Sequence, residues 1–389
     1  MTKPIRLPRR AALLGATWLV LLLALSGTAS TATALPPAPF DEFYGVSPAT
    51  KLDLQETDRM GRAGAGTIRY PFYWPSIEPD PPVEDGGGGG GGGVPPVPVP
   101  LPTPAPESKQ WKATDDLVGN AARAGIRVLP FVYGTPDWIS PDPMRPPLDS
   151  EAARAAWQDL LTDLVRRYGH GGEFWAENPN VPKKPIDAWQ LWNEVNSNVY
   201  WSPLPAPAEY ADLMQISNAA IRAADPGAAI VLAGMFGTPA NGIEAWTYLE
   251  GLYQSPGIAE TFDAFGLHPY SPGLKGIRTQ VGLARDVLER NGDKRLPLLI
   301  SEIGWPTEGP ADYNLVQTPD GQKKLLAKAF KLFLSERREW KIERVIWYTW
   351  RDNGVQPQCS VCSFSGLFTS RMEPKPAWRK FAQFAGGQP

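Results

Sequence analysis

What most restricts the fold of this chain is a rhythm. Short apolar runs that read as buried strands alternate with helical patterns, at residues 43–46, 66–70, 128–133, 188–192, 229–233, 262–267, 298–301 and 345–349. The clearest helix between them carries Trp157, Leu160, Leu161, Leu164, Val165 and Tyr168, the spacing of one apolar helix face, and is closed by Gly169. A second runs through Leu325, Leu326, Ala329, Phe330, Phe333 and Leu334. Strands buried on both faces and joined by helices form parallel sheets, and eight such units predict an α/β chain closed into a (β/α)8 TIM barrel. An open doubly wound sheet would need a phosphate-binding turn after a strand. The one glycine-rich run, 86–93, follows Pro81, Pro82 and Asp85 instead.

A barrel of this kind carries its chemistry at the C-terminal ends of its strands. Two segments there share a design. In 187–196 (DAWQLWNEVN) an apolar run stops at Asn193-Glu194, and in 296–307 (LPLLISEIGWPT) another stops at Ser301-Glu302. Two strand-end glutamates far apart in sequence are what sugar cleavage with retention requires. One carboxyl lends a proton to the leaving oxygen, and the other, ionised, attacks the anomeric carbon. Glu194, between aromatic and amide neighbours, suits the acid/base role; Glu302 suits the nucleophile. Arg69 ends the second predicted strand, His268-Pro269-Tyr270 the sixth and Trp350 the eighth.

Composition removes other classes. Of 389 residues 42% are hydrophobic and 20% charged, enough for a large core. Lys3, Arg6, Arg9 and Arg10 precede an uncharged apolar run, 11–25, and then Ala32-Thr33-Ala34, the pattern of an export signal over residues 1–34. The run is short for an uncleaved membrane anchor. Loss of those four cations moves the formal charge of -3 further negative, a poor match to nucleic acid. Two cysteines, Cys359 and Cys362, and two histidines, His170 and His268, cannot supply the usual zinc sets; in an oxidising compartment the cysteines read as a short disulfide loop. Neither GxSxG nor HExxH occurs, which disfavours esterase and metalloprotease chemistry. No metal or cofactor is expected.

One stretch breaks the rhythm. The glycines of 86–93 are followed at 94–106 by proline at about every second position, a flexible piece joined to a stiffer one. The whole, 81–107, reads as an insertion on the rim that carries the glutamates, either tolerated or a substrate-contacting arm.

With these motifs at these strand ends, the segment from Phe43 to Trp378 resembles clan A retaining glycoside hydrolases. The order WNE, HPY, SEIGWP is closest to the family of β-xylosidases, iduronidases and bacterial exopolysaccharide endoglycosidases, while SEIGWPTEG is also similar to the β-1,3-glucanase signature. The resemblance implies one hydrolase domain at 35–389, acting on an oligo- or polysaccharide, with Glu194 as acid/base and Glu302 as nucleophile. It also implies that Arg69, His268, Tyr270 and Trp350 line the subsite at the cut bond. Chemistry then assigns Asn193 to the sugar 2-hydroxyl, Tyr270 and Arg69 to the nucleophile, and Trp305 and Trp350, ahead of Trp74, Trp138 and Trp201, to stacking on sugar. A barrel that binds glycan without cutting it is the alternative. Such a binder would be expected to lose one glutamate, and this chain keeps both.

Overall fold

The computed structural model describes residues 42–80, 109–310, 312–354 and 359–389. In chain order the elements are β1 (Tyr44–Ser47), α1 (Leu54–Arg62), β2 (Thr67–Tyr73), α2 (Trp74–Ile77), α3 (Lys112–Arg123), β3 (Arg127–Tyr133), α4 (Glu151–Tyr168) and α5 (Glu173–Glu177). There follow β4 (Ala188–Leu191), α6 (Pro207–Ala224), β5 (Ala229–Phe236), α7 (Ala245–Leu252), β6 (Ala264–His268), α8 (Leu274–Arg290) and β7 (Leu298–Ile303). The chain closes with α9 (Pro319–Ser335), β8 (Ile342–Tyr348), α10 (Ser360–Phe364) and α11 (Pro376–Ala385). Each strand pairs in parallel with the next, and β8 returns to β1 from Tyr44–Val345 to Ser47–Tyr348. The rhythm of the sequence is therefore a closed eight-stranded barrel, as expected. The predicted signal at 1–34 and insertion at 81–107 lie outside the described residues.

Strand limits move where local chemistry dictates. β2 continues to Tyr73, so Arg69 is mid-strand rather than terminal. β7 continues to Ile303, so Glu302 is within it. β4 stops at Leu191, because Trp192 has φ 69° and the left-handed backbone cannot extend the ladder. Helix ends have side-chain causes as well. The Ser150 hydroxyl accepts the Ala153 N–H at the start of α4, and Gly169 donates to Val165 O at its end. The six apolar residues predicted for its inner face are all buried. In α9 the Thr318 hydroxyl caps the first turn; Leu326, Ala329, Phe330 and Phe333 are buried, whereas Leu334 turns outward. Fully burying a side chain of this size contributes about 1.5–3 kcal/mol.

Alternation along the strands separates two cores. Ile230, Leu232, Phe265 and Ile300 pack outward with the helices, while Leu129, Ala188, Ala229, Val231, Ala264 and Leu299 form a separate cluster inside. Two residues further on, the same inward faces turn polar. Gln190 follows Ala188, Ser301 follows Leu299, and both are fully buried. At the opposite end Arg127 bridges Glu42 (2.7 Å) and Asp187 (2.8 Å), an ionic seam at the strand starts that belongs to stability. Cys359 and Cys362 are joined by a disulfide at the start of α10. Among the described residues no helix is long and apolar enough to cross a membrane.

Candidate active site

The polar upper barrel is organised by Arg69. Its side chain is fully buried, with the guanidinium 4.0 Å from the centroid of the Phe131 ring, and each of its three nitrogens holds an acceptor. Nε donates to Gln190 Oε1 (2.6 Å), Nη1 to Glu302 Oε1 (2.6 Å) and Nη2 to Asn193 Oδ1 (2.7 Å). Because arginine only donates, it turns the Asn193 carbonyl towards itself and leaves the amide N–H groups for another acceptor. Tyr270, two residues past β6, donates its hydroxyl to Glu302 Oε2 at 3.0 Å. Both oxygens of Glu302 are thus held.

Glu194 reaches the same place from β4 by an unusual backbone. Trp192 N–H bonds Val132 O (2.8 Å) and Glu194 N–H bonds Gly234 O (3.0 Å), so the segment is pinned to β3 and β5 while Trp192 and Glu194 take φ 69° and 40°. Asn196 secures the exit, donating to Phe236 O and Ile243 O at 2.7 Å each. His268, the last residue of β6, sets its Nδ1 2.8 Å from Glu194 Oε1 and 3.7 Å from Glu302 Oε2. One carboxylate oxygen from each glutamate and a His268 ring nitrogen all lie within 4.8 Å of one another. A divalent cation would find this donor set already occupied by the Arg69 charge, 2.6 Å from Glu302, so the three residues do not fit a metal centre.

Electrostatics separates the two acids. Burial pushes the Glu194 carboxyl well above the usual range, and the nearby Glu302 charge pushes it further. Burial also raises Glu302, but Arg69 and the Tyr270 hydroxyl oppose it. Two carboxylates this close cannot both ionise cheaply, and the shared proton goes to Glu194. Burial, with the Arg69 charge, holds the His268 imidazole neutral.

Six of the sequence-predicted residues, Arg69, Asn193, Glu194, His268, Tyr270 and Glu302, therefore meet in one cluster. Trp305 and Trp350 do not join it. Both are fully buried; Trp305 donates to Ser271 O (2.8 Å) and Trp350 to Glu56 Oε1 (3.1 Å), with Trp350 packed on Phe368 and Trp378. An indole enclosed in this way offers no face to a sugar, which corrects the stacking role expected of them. Trp74 and Trp201 are likewise buried, and the indole of half-buried Trp138 donates to Glu78 O. The aromatic groups left half-open around the acids include Phe236, stacked on Tyr270 with centroids 5.4 Å apart, and three tyrosines. Tyr348 and Tyr200 feel the charges of both glutamates, and burial with that field raises both phenols. Tyr133, 6.1 Å from Tyr200 between ring centroids, is pushed up to about 12 by burial. Sequence reasoning passed over Gln190, Ser301 and Tyr348. A polar residue inside an apolar strand was the available signal for the first two.

No protein-family model matches the chain, and no curated protein matches it. Solved structures do. A family 39 glycoside hydrolase from the gut symbiont Bacteroides cellulosilyticus WH2 superposes at TM-score 0.58 with 21% identity, over 90% of this chain and 65% of that one, so this chain spans about two thirds of its length. A family 5 glycoside hydrolase from Streptomyces cattleya, in complex with Manβ1-4GlcNAc, gives TM-score 0.59 at 16% identity over 89% and 80% of the two chains. Xylanase 10B from Thermotoga petrophila RKU-1, in complex with xylobiose, gives 0.55 at 15% over 89% and 94%. At these identities the likeness establishes the barrel fold.

Proposed function

We propose that the chain is a clan A glycoside hydrolase, which cleaves a β-linked glycan with retention of configuration. The observation that carries this reading is the pair of carboxyls that bring one oxygen each within 4.8 Å, one held by Arg69 and Tyr270 and the other driven to keep its proton. Retaining sites have carboxyls about 5–5.5 Å apart, whereas inverting sites leave about 6.5–9.5 Å for a water. Glu302 attacks the anomeric carbon as the glycosidic C–O bond breaks, and the Glu194 proton passes to the leaving oxygen. Water then adds to the same carbon, gives its proton to Glu194 and releases the Glu302 carboxylate. Asn193, its carbonyl held by Arg69, presents N–H groups to the sugar 2-hydroxyl. The disaccharides named for the family 5 hydrolase and the xylanase, Manβ1-4GlcNAc and xylobiose, support a saccharide substrate, the first of them β-linked. Export is part of the reading and rests on the pattern of residues 1–34 alone.

The test is stereochemical. Glu302→Ala opens space beneath the sugar, and added azide should give a glycosyl azide of inverted configuration. Glu194→Ala, with a good leaving group, should give a retained azide, because the covalent step survives and only the base for water is lost. A fluorosugar should label the peptide containing Glu302. Inverted wild-type product, or a label elsewhere, overturns the assignment.

A further inference from the structure

We propose that Gln280 and Trp305 are positioning residues: their side-chain N–H groups clamp the turn 269–271 after β6, and the clamped turn sets the Tyr270 hydroxyl on Glu302. The meaning of Glu302 as nucleophile rests on the functional reading above; the clamp itself does not. Tyr270 leaves β6 on a turn that gives its N–H to His268 O at 2.9 Å. On the other side of the residue Gln280 Nε2, from α8, donates to Tyr270 O at 2.9 Å, and the Trp305 indole donates to Ser271 O at 2.8 Å. Three consecutive peptide groups are thereby fixed, and the phenol keeps only its own two side-chain torsions. Phe236, stacked on the ring at an interplanar angle of 22°, restricts those as well.

Gln280 is not what the fold alone would choose. It is buried, its amide nitrogen is committed to Tyr270 O, and its Oε1 has no partner among the described residues. An unpaired buried oxygen costs stability, and an apolar side chain of similar length would avoid that cost. The amide also fills space that only glycine leaves, since a Cβ on Gly237 would fall 1.7 Å from Gln280 Oε1. Trp305 acts from the other side. It stands three residues beyond Glu302, and Gln322 Nε2 from α9 holds its carbonyl at 2.9 Å. The turn and the end of β7 are thus linked twice, by Tyr270 to Glu302 and by Trp305 to Ser271, and the second link aligns the first. A slip of about 1 Å would carry the Tyr270 hydroxyl from 3.0 Å to beyond hydrogen-bonding reach of Glu302. The charged and titratable groups around Glu302 are Arg69 from β2, Glu194 and Tyr200 after β4, His268 and Tyr270 from the end of β6, and Tyr348 at the end of β8. Burial raises the Glu302 carboxyl, while the Arg69 charge and the Tyr270 hydroxyl lower it, so a loosened hydroxyl should let it rise.

Carboxyl 13C NMR, with Glu302 assigned from the signal missing in Glu302→Gln, reads the contact without turnover. Tyr270→Phe should raise the Glu302 midpoint by up to about one pH unit. Gln280→Met and Trp305→Phe, which keep apolar bulk and lose the N–H, should each raise it by about half as much. On the Tyr270→Phe background neither should add to the shift, the mark of residues that act through that hydroxyl. On a small chromogenic glycoside each single variant should lower kcat by up to about tenfold at little change in KM and move the acidic limb to higher pH. An unmoved Glu302 midpoint in either folded variant, or a shift that adds to that of Tyr270→Phe, overturns the proposal, and either variant decides it should the other not fold. If the midpoints move as stated but no glycoside is cleaved, the functional reading fails and this one stands.

Discussion

Arg69 stands 2.6 Å from Glu302 Oε1 and 2.7 Å from Asn193 Oδ1, so a single buried cation orients a carboxylate on β7 and an amide after β4. Charge and geometry at the site consequently share one source. A lysine could keep the charge and would lose the fork that makes three fixed contacts.

Arg69→Met should be costly in two separable ways. Removing one partner of a buried ion pair destabilises by about 3–5 kcal/mol. The same change removes the main influence holding the Glu302 carboxyl down, so the acidic limb of kcat/KM should move to higher pH. An unmoved limb in a folded variant would show that Arg69 does not govern Glu302.

Glu194→Gln should change how stability depends on pH. The folded-state value of Glu194 is raised, so the native protein favours its protonated form. That contribution is complete below the unfolded value, about 4.3, and is lost as pH climbs through the folded value. Wild-type thermal midpoints should therefore fall across that window, and the neutral variant should fall less. Parallel curves would mean that Glu194 is not the protonated acid. With an activated leaving group, the variant should also lose the alkaline limb of its rate profile.

Gly234→Ala should damage the site through sterics alone. Its methyl would enter 2.1 Å from His268 Nε2 against a backbone fixed by the bond from Glu194 N–H. Overpacking of this kind costs about 1–3 kcal/mol, and displacement of the imidazole should lower kcat by up to about a hundredfold. The matching control is Gly282→Ala inside α8, where a Cβ meets nothing within 4 Å. That change should stabilise by roughly 0.5–1 kcal/mol with full activity retained.

Trp350 and Tyr348 should respond in opposite senses. Trp350→Phe removes the hydrogen bond to Glu56 and should cost about 1.5–3 kcal/mol of stability, with kcat/KM on a small chromogenic glycoside unchanged. Tyr348→Phe, which keeps the packed ring and loses only the hydroxyl beside the two acids, should leave stability nearly intact and lower kcat/KM by about tenfold. The reverse pattern would return the sugar-facing role to Trp350.

The barrel was legible because each strand carries a short, mostly apolar run set between helical patterns, and that rhythm survives errors of a few residues at the ends. The positions of Glu194 and Glu302 were legible for a related reason: an acid straight after such a run has few places to go but the rim. The direction of a ring was not. Trp350 looked like the aromatic group nearest the chemistry, yet β8 ends at Tyr348 and the following turn carries the indole into Phe368 and Trp378. Period-two reasoning gives a facing only while a strand lasts. Gln190 was hidden because its partners, Arg69 on β2 and Leu232 on β5, stand on other strands, a juxtaposition that closure of the barrel creates.

The backbone at Glu194 has a consequence for how such a chain drifts. At φ 40° the position suits glycine or asparagine better than glutamate, and the carboxyl it carries is buried beside another acid. Selection for folding alone would therefore replace Glu194 early. A population of variants screened only for thermal tolerance should become enriched in glycine, asparagine or glutamine there, while Glu302, supported by Arg69 and Tyr270, should persist longer.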